Sequence, residues 1–332
     1  MALRKHERFE VKSIHTGQHY DDNMSRVFFE ELDIDEPAYQ LNVGSASHGK
    51  QTARMLESIE EILLMEQPSM LVVYGDTNST LAGALAASKL HIPIAHIEAG
   101  LRSYNKTMPE EINRVLTDYL STLLFVPSEV SLKNLHKEGV SDGIHIVGDI
   151  MLDTLKIAVG GNLTHNTQET PYYYATLHRP YNTDDKDRIL NVLSAFNALS
   201  LPVVFAIHPR TSALLSSMNI AIDKYPNIDF IAPQGYFDNI RYMAGAEKII
   251  TDSGGLQKEA WFLKKPCVTL RPETEWIETL TNQWNILVFE DLKELKHALE
   301  ITPGKYIGGC YGEGNTANKI ANIIYHFLFD TQ

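Results

Sequence analysis

In YGDTNST and HIEAGLRS, two short apolar runs each end in an acid, Asp76 and Glu98. A carboxylate just past a strand that reads as buried on both faces is out of place in a core, but it suits proton transfer at the strand end. Downstream, MPEEINR puts Pro109 at a first helical position with Glu110 and Glu111 behind it. That is a sound helix start, because proline is pre-organised there and acids favour the positive helix end. Capping explains Asp76 and the dipole explains Glu110 equally well when each is taken alone. Gathered together, such carboxylates push one another's pKa upward, so one can serve as a protonated acid while another is an ionised base.

The second half of the chain offers chemistry of the opposite sign. TDSGGLQKEAW follows a strand and opens a helix with Ser253, Gly254 and Gly255, where main-chain N–H groups and the helix end suit a phosphate. Glu259, in the next turn, has the chemistry to accept hydrogen bonds from a ribose diol. Two more strands end in His178-Arg179 and in His208-Pro209-Arg210, pairs suited to a diphosphate. One half thus supplies acids and the other an anion cradle, a division that fits a nucleotide sugar. P-loop, dinucleotide-fingerprint, HExxH and nucleophile-elbow patterns are missing, and the histidines lack metal spacing, so no metal and no cofactor are expected.

The elements that must position these residues alternate. Strands are expected at FEVKSIHT, SMLVVYGD, IPIAHIEA, LLFVPS and IHIVGD, then at YYYATLH, PVVFAIH, IDFIAP, KIITDS and PCVTLR. Helical patterns lie between them, including 49–66 and 78–90, the latter with Asn78 as its expected cap. Strand–helix alternation of this kind gives an α/β fold with parallel sheets covered on both faces. We expect two Rossmann-like doubly wound domains with a cleft between them. Residues 1–156 would carry the carboxylates and 157–314 the nucleotide, and the helix 315–332 would cross back to the first domain. The boundary is expected in 157–170, which is rich in Gly, Thr and Asn. In open parallel sheets ligands collect beyond the carboxyl ends of the strands, where Asp76 and Glu98 stand.

The totals narrow the class further. The chain has 332 residues, 44% of them hydrophobic, and a formal net charge of −13. That balance disfavours nucleic acid and anionic membranes as partners. No apolar run reaches membrane-spanning length, and the start, MALRKHERFE, has no apolar signal core. A cytoplasmic location is therefore expected. The cysteines Cys267 and Cys310 are too few for a disulfide framework and read as reduced.

In order along nearly the whole chain, HTGQH, YGDTNST, HIEAGLRS, MPEEINR, VGD, LHR, HPR, TDSGGLQKEA and YGEGNTA resemble the non-hydrolysing UDP-N-acetylglucosamine 2-epimerases. The resemblance implies the glycosyltransferase-B arrangement, a homodimer, and a UDP-sugar as the ligand, used for cell-surface polysaccharide precursors. It implies inversion at C2 by loss of the C2 proton with elimination of UDP to a 2-acetamidoglucal, followed by re-addition. By motif match Asp76, Glu98 and Glu110 are catalytic carboxylates, and His178 is a catalytic histidine near the diphosphate. Arg179, His208, Arg210, Ser253, Gly254, Gly255 and Glu259 fall in the UDP site. Gln18, His19 and Gln51 are candidates for a regulatory second site.

The family's opening strand, with its Gly-Thr-Arg-Pro-Glu loop, has no counterpart, and a truncated start is the expectation. Pro180-Tyr181 replaces a commonly found glutamate before Asn182. VFFEELDI and ASHGKQTARML resemble the branch that acts on UDP-2,3-diacetamido-2,3-dideoxy-glucuronate, for which Arg102, Lys106 and Arg271 are candidate partners of a C6 carboxylate. A hydrolysing epimerase, a glycosyltransferase and a catalytically impaired UDP-sugar binding protein remain as alternatives.

Overall fold

The computed structural model describes residues 1–18, 31, 34–160, 170–207 and 209–330, with only the backbone for 209 and 210. The chain divides into two compact units, Met1–Thr154 with Gly309–Gln332, and Leu155–Gly308. His19 and His208 lie outside the described residues, as do the Arg210 side chain and most of the expected 157–170 linker.

Unit 1 holds a four-stranded parallel sheet in the order β3-β4-β5-β6, formed by Leu71–Tyr74, Ile94–Ile97, Leu123–Val126 and Ile144–Ile146. A separate parallel pair joins β1 (Ile14–His15) to β2 (Tyr39–Gln40). The expected first strand over 9–16 is thus reduced to its last part, and β2 was not foreseen. Helix α1 (His48–Glu66) and helix α2 (Asn78–Lys89) cover one face. Ala82, Ala84, Ala86 and Ala87 of α2 are solvent-free and pack with Met55, Ile59 and Leu63 of α1 and with Val73. Small side chains on α2 let the two helices and the sheet approach closely.

The other face is closed by a helix from the far end of the chain, α12 (Thr316–Phe329). Its Ile320 and Ile324 pack with Ala95, Ile97, Leu123 and Phe125. Asp153 anchors that helix start, accepting from the amides of Thr316 at 3.0 Å and Ala317 at 2.8 Å. Helices α3 (Pro109–Leu120) and α4 (Glu129–Lys137) complete the run, and α5 (Ile150–Gly160) begins in unit 1 and ends in unit 2.

Unit 2 is a six-stranded parallel sheet in the order β12-β11-β10-β7-β8-β9. In chain order these strands are Tyr173–Thr176, Val203–Ala206, Ile228–Ile231, Lys248–Thr251, Cys267–Thr269 and Asn285–Leu287. The order builds outward one way from β7 through β9, then the other way from β10 through β12. The reversal, at β7 and β10, is where a doubly wound sheet opens a crevice. Helices α6 (Pro180–Thr183), α7 (Lys186–Asn197), α8 (Pro209–Ser217), α9 (Tyr236–Gly245), α10 (Gly254–Phe262) and α11 (Glu294–Glu300) flank it. Strand interiors such as Val203, Val204 and Phe205 are fully buried, as a sheet covered on both faces requires. Among the described residues, no helix is long and apolar enough to cross a membrane.

Candidate functional site

In unit 1 the turns after β3 and β4 depart from strand geometry at once. Gly75 has φ +59°, Glu98 φ +70° and Gly100 φ +77°. The left-handed region is cheap for glycine but costs another residue about 1–2 kcal/mol. Glu98 is therefore held there by its surroundings, a frequent mark of a functional position. At Gly100 only glycine fits, since a Cβ would lie 2.5 Å from the Ser131 carbonyl oxygen. A Cβ at Gly75 would lie 3.4 Å from Glu98 Oε2, which places the Glu98 carboxylate over the turn that carries Asp76.

Helix α3 supplies the counter-charge. Arg114 is buried and donates from Nη2 to Asp76 Oδ2 at 2.5 Å and from Nη1 to Glu111 Oε2 at 3.0 Å. Asn113 Nδ2 donates to the Asp76 carbonyl at 2.9 Å. Glu110 is half-buried and sits four residues before Arg114 on the same helical face. Glu111 turns inward, accepting from the amides of Ser103 at 2.9 Å and Tyr104 at 2.8 Å. The two adjacent acids thus divide, Glu111 fixing the preceding loop and Glu110 remaining at the helix start.

Asn78 is not the cap of α2; Thr77 takes that place and Asn78 is the first helical residue. The Asn78 side chain is buried, donating to Gln51 Oε1 at 2.8 Å and accepting from Asn113 at 3.2 Å. An amide pulled into this interior network cannot also serve its own helix amides. Gln51 donates to the Gly44 carbonyl at 2.9 Å and to the Gln18 carbonyl at 3.2 Å, and Gln18 Oε1 accepts from the Ser79 amide at 3.0 Å. Both glutamines thus brace loops of unit 1.

In unit 2 the fully buried Asp252, at the end of β10, binds the turn after β7. It accepts from the amides of His178 at 3.1 Å and Arg179 at 3.0 Å, and from Asn182 Nδ2 at 3.0 Å. Its Oδ1 lies 3.2 Å from His178 Nδ1, while the His178 side chain is 42% exposed. Asn182 also donates to the Leu270 carbonyl at 2.9 Å. The Pro180-Tyr181-Asn182 variation therefore keeps a turn tied to the ends of β10 and β11.

Ser253 caps α10 through Leu256 N at 3.5 Å. The first amides of a helix have no partner within it, so Gly254 and Gly255 present N–H groups at the crevice end of the sheet. A Cβ at Gly254 would lie 2.8 Å from Glu275 Oε1. Behind, Gln257 Oε1 accepts from Thr274 at 2.7 Å and Asn285 at 3.1 Å, and Glu259 is 2% exposed.

Sequence reading missed Arg114, Asn113, Asp252 and Asn182. Asp252 had a visible signal, an acid ending a β-branched strand, as at Asp76. Two of the three cations proposed for a C6 carboxylate, Arg102 and Arg271, are otherwise engaged. Arg102 donates to Glu138 Oε1 at 2.8 Å and pairs with Asp118 at 2.8 Å. Burial opposes its charge, but Glu138 and Asp118 outweigh it and raise its pKa. Arg271 is buried against Glu275 at 2.9 Å. Lys106 is exposed. Among the described residues, no group of three or more His, Cys, Asp or Glu is placed to hold a metal ion.

Residues 1–325 match the family model described as UDP-N-acetylglucosamine 2-epimerase. A UDP-N-acetylglucosamine 2-epimerase homolog of Methanococcus maripaludis is 48% identical over 334 residues, covering 97% of this chain and 93% of the relative. The UDP-2,3-diacetamido-2,3-dideoxy-D-glucuronate 2-epimerase of Pseudomonas aeruginosa is 44% identical over 322 residues, covering 94% and 90%. The crystal structure of Methanocaldococcus jannaschii UDP-GlcNAc 2-epimerase in complex with UDP-GlcNAc and UDP superposes with a TM-score of 0.88 at 42% identity, covering 98% of this chain and 94% of that one.

Proposed function

Because the chain belongs to the UDP-N-acetylglucosamine 2-epimerase family, we propose that it is a non-hydrolysing epimerase that inverts C2 of UDP-N-acetylglucosamine. The observation that carries this reading is the pair of strand-exit turns that bring Asp76 and Glu98 together, with Arg114 on Asp76 and Glu110 one turn before Arg114. In the forward step a carboxylate of unit 1 removes the C2 proton. The C–H electrons form the C1=C2 bond, and the C1–O bond to the diphosphate breaks, giving 2-acetamidoglucal and UDP. In the return step a UDP oxygen bonds C1 and a second carboxylate delivers a proton to the other face of C2. An acid and a base in fixed places are what this path needs.

Unit 2 is assigned the UDP. The amides of Gly254 and Gly255 with Ser253, His178 and Arg179 take the diphosphate, and Glu259 takes the ribose. His208 and Arg210 complete the basic set by their place after β8. Charge that grows on the leaving diphosphate would be met by donors already held in place. Arg102 and Arg271, turned onto protein carboxylates, favour a sugar without a C6 acid.

Proton NMR of UDP-N-acetylglucosamine with the chain in D₂O tests the reading. Loss of the C2 proton with both UDP-linked epimers present is expected. Asp76→Asn and Glu98→Gln should each slow exchange by about 10²–10⁴-fold while UDP still binds. Unchanged turnover in both variants would remove the basis of the assignment. Release of free sugar would instead indicate a hydrolysing enzyme. Exchange only with the diacetamido-glucuronate substrate would move the chain to that branch, and UDP binding without exchange of either sugar would make it a binding protein.

The reading includes a cytoplasmic homodimer. Ile112, Leu116 and Tyr119 form an exposed apolar stripe on α3, at 49%, 45% and 57% exposure, which supports a second copy. Sedimentation as a monomer at micromolar concentration would overturn the dimer, and cell fractionation checks the location.

A further inference from the structure

The carboxylate turns of unit 1 are joined by a buried pair that the mechanism does not use. His96, inside β4, and Asp118, on the last turn of α3, both have solvent-free side chains with Nδ1 and Oδ1 2.7 Å apart. His96 Nε2 lies 2.8 Å from the Gly75 carbonyl oxygen. A carbonyl only accepts, so Nε2 carries the hydrogen in that bond. Asp118 Oδ2 accepts from the Gly100 amide at 3.1 Å and from Arg102 Nη1 at 2.8 Å. Gly75 immediately precedes Asp76, and Gly100 is the second residue after Glu98. One continuous chain of close polar contacts thus runs from the main chain beside the first carboxylate to the main chain beside the second. Its outer end is secured by Arg102, which grips Glu138 through Nε and Nη2 at 2.8 and 2.6 Å.

A histidine inside an apolar strand costs free energy unless its polar atoms are satisfied, and a leucine there would pack without that requirement. The positive φ of Glu98 and Gly100 gives the bonds a task, since turns in that region must be held by their surroundings. We propose that His96 and Asp118 are positioning residues that fix the spacing and direction of Asp76 and Glu98 for C2 chemistry. They act through the main chain of Gly75 and Gly100 and touch no substrate. The inference rests on the epimerase reading for its kinetic consequence and on geometry alone for its structural one.

The test compares His96→Gln, whose amide can still donate to Gly75, with His96→Leu, which cannot, and adds Glu138→Gln at the partly exposed end of the chain. A displacement near 1 Å at a reacting group costs on the order of 100-fold. His96→Leu should therefore lose about that much in kcat for C2 exchange, with KM and UDP affinity held within about threefold. His96→Gln should recover a large part of the loss. Glu138→Gln, which leaves the core intact, should lower kcat several-fold at unchanged KM. Should His96→Leu fail to fold, the Gln variants carry the test. Equal kcat per folded molecule in His96→Gln, Glu138→Gln and the parent would overturn the proposal. Crystal structures should show the Asp76 and Glu98 carboxylates displaced in His96→Leu and largely restored in His96→Gln, and carboxylates of His96→Leu that superpose on those of the parent would also overturn it. If the parent shows no C2 exchange, the epimerase reading fails, while the crystallographic arm still decides the clamp.

Discussion

In unit 2 most of the residues assigned to UDP follow β7 and β10, the two strands at which the sheet order turns back. In unit 1 the carboxylates follow β3 and β4, neighbours in a sheet that runs in chain order. Reversal opens a crevice in which main-chain amides and a helix start can meet a ligand, and the buried Asp252 holds the turn after β7. Acids have no such backbone solution. Unit 1 gathers them by enclosing cations, with Arg114 on Asp76 and Glu111, and Arg102 on Asp118 and Glu138. The proposed anion cradle thus comes mainly from topology, whereas the proposed catalytic carboxylates come with a buried ion network.

The contrast is sharpened by the two cysteines, since Cys310 belongs to unit 1 and Cys267 to the core of unit 2. Burial pushes the Cys267 thiol up to about 12, against a small opposing effect of Thr269, so in the native state it is a poor nucleophile. Alkylation at pH 8 should modify Cys310 first and reach Cys267 only through opening of unit 2. UDP at 100 times its Kd stabilises what binds it by about 2.7 kcal/mol. Mass spectrometry should then show Cys267 labelling slowed about 100-fold and Cys310 little changed. Protection of Cys310 instead would reverse the assignment of the nucleotide to unit 2.

A smaller effect is expected at the cradle. A Cβ at Gly254 would meet the buried Glu275 that pairs with Arg271, and relief requires one of them to move. Gly254→Ala should weaken UDP binding by about tenfold in calorimetry, corresponding to roughly 1.4 kcal/mol. The C2 exchange rate at saturating substrate should change far less, since the carboxylates belong to unit 1. A loss confined to kcat would break the division of labour.

How much of this was legible follows the same line. The reversal residues of unit 2 stood in quotable motifs, and the strand positions of both sheets showed as apolar runs. The exceptions, β2 at Tyr39–Gln40 and β12 at Asn285–Leu287, are two and three residues long, too short for any periodicity. The ion network of unit 1 was not read. His96 looked like one member of an apolar run, although a polar residue in a fully buried strand demands a partner. Glu111, Arg114 and Asp118 recur at helical spacing on a buried face of α3, a polar stripe where an apolar one is the rule. That inverted pattern was the available signal. Asn78 misled because its residue type suits a cap, while its side chain is drawn inward by Gln51 and Asn113.

The smallest expected effect concerns acid. His145 on β6 of unit 1 has its pKa lowered from 6.5 by burial, with its ring 5.9 Å from that of Phe125. The folded chain thus prefers the neutral ring, and between the lowered value and 6.5 the unfolded chain holds a proton that the native state refuses. Stability rises with pH wherever the unfolded state binds more protons. His145 therefore costs nothing above 6.5, and its penalty grows as pH falls through 6.5 until the folded ring is protonated as well. The side chain is partly exposed, so water blunts the effect and only a modest slope is expected. Urea midpoints at pH 7.5 and 5.5 measure it: His145→Gln should reduce the loss on acidification. Equal losses in parent and variant would place the acid sensitivity of unit 1 in other groups.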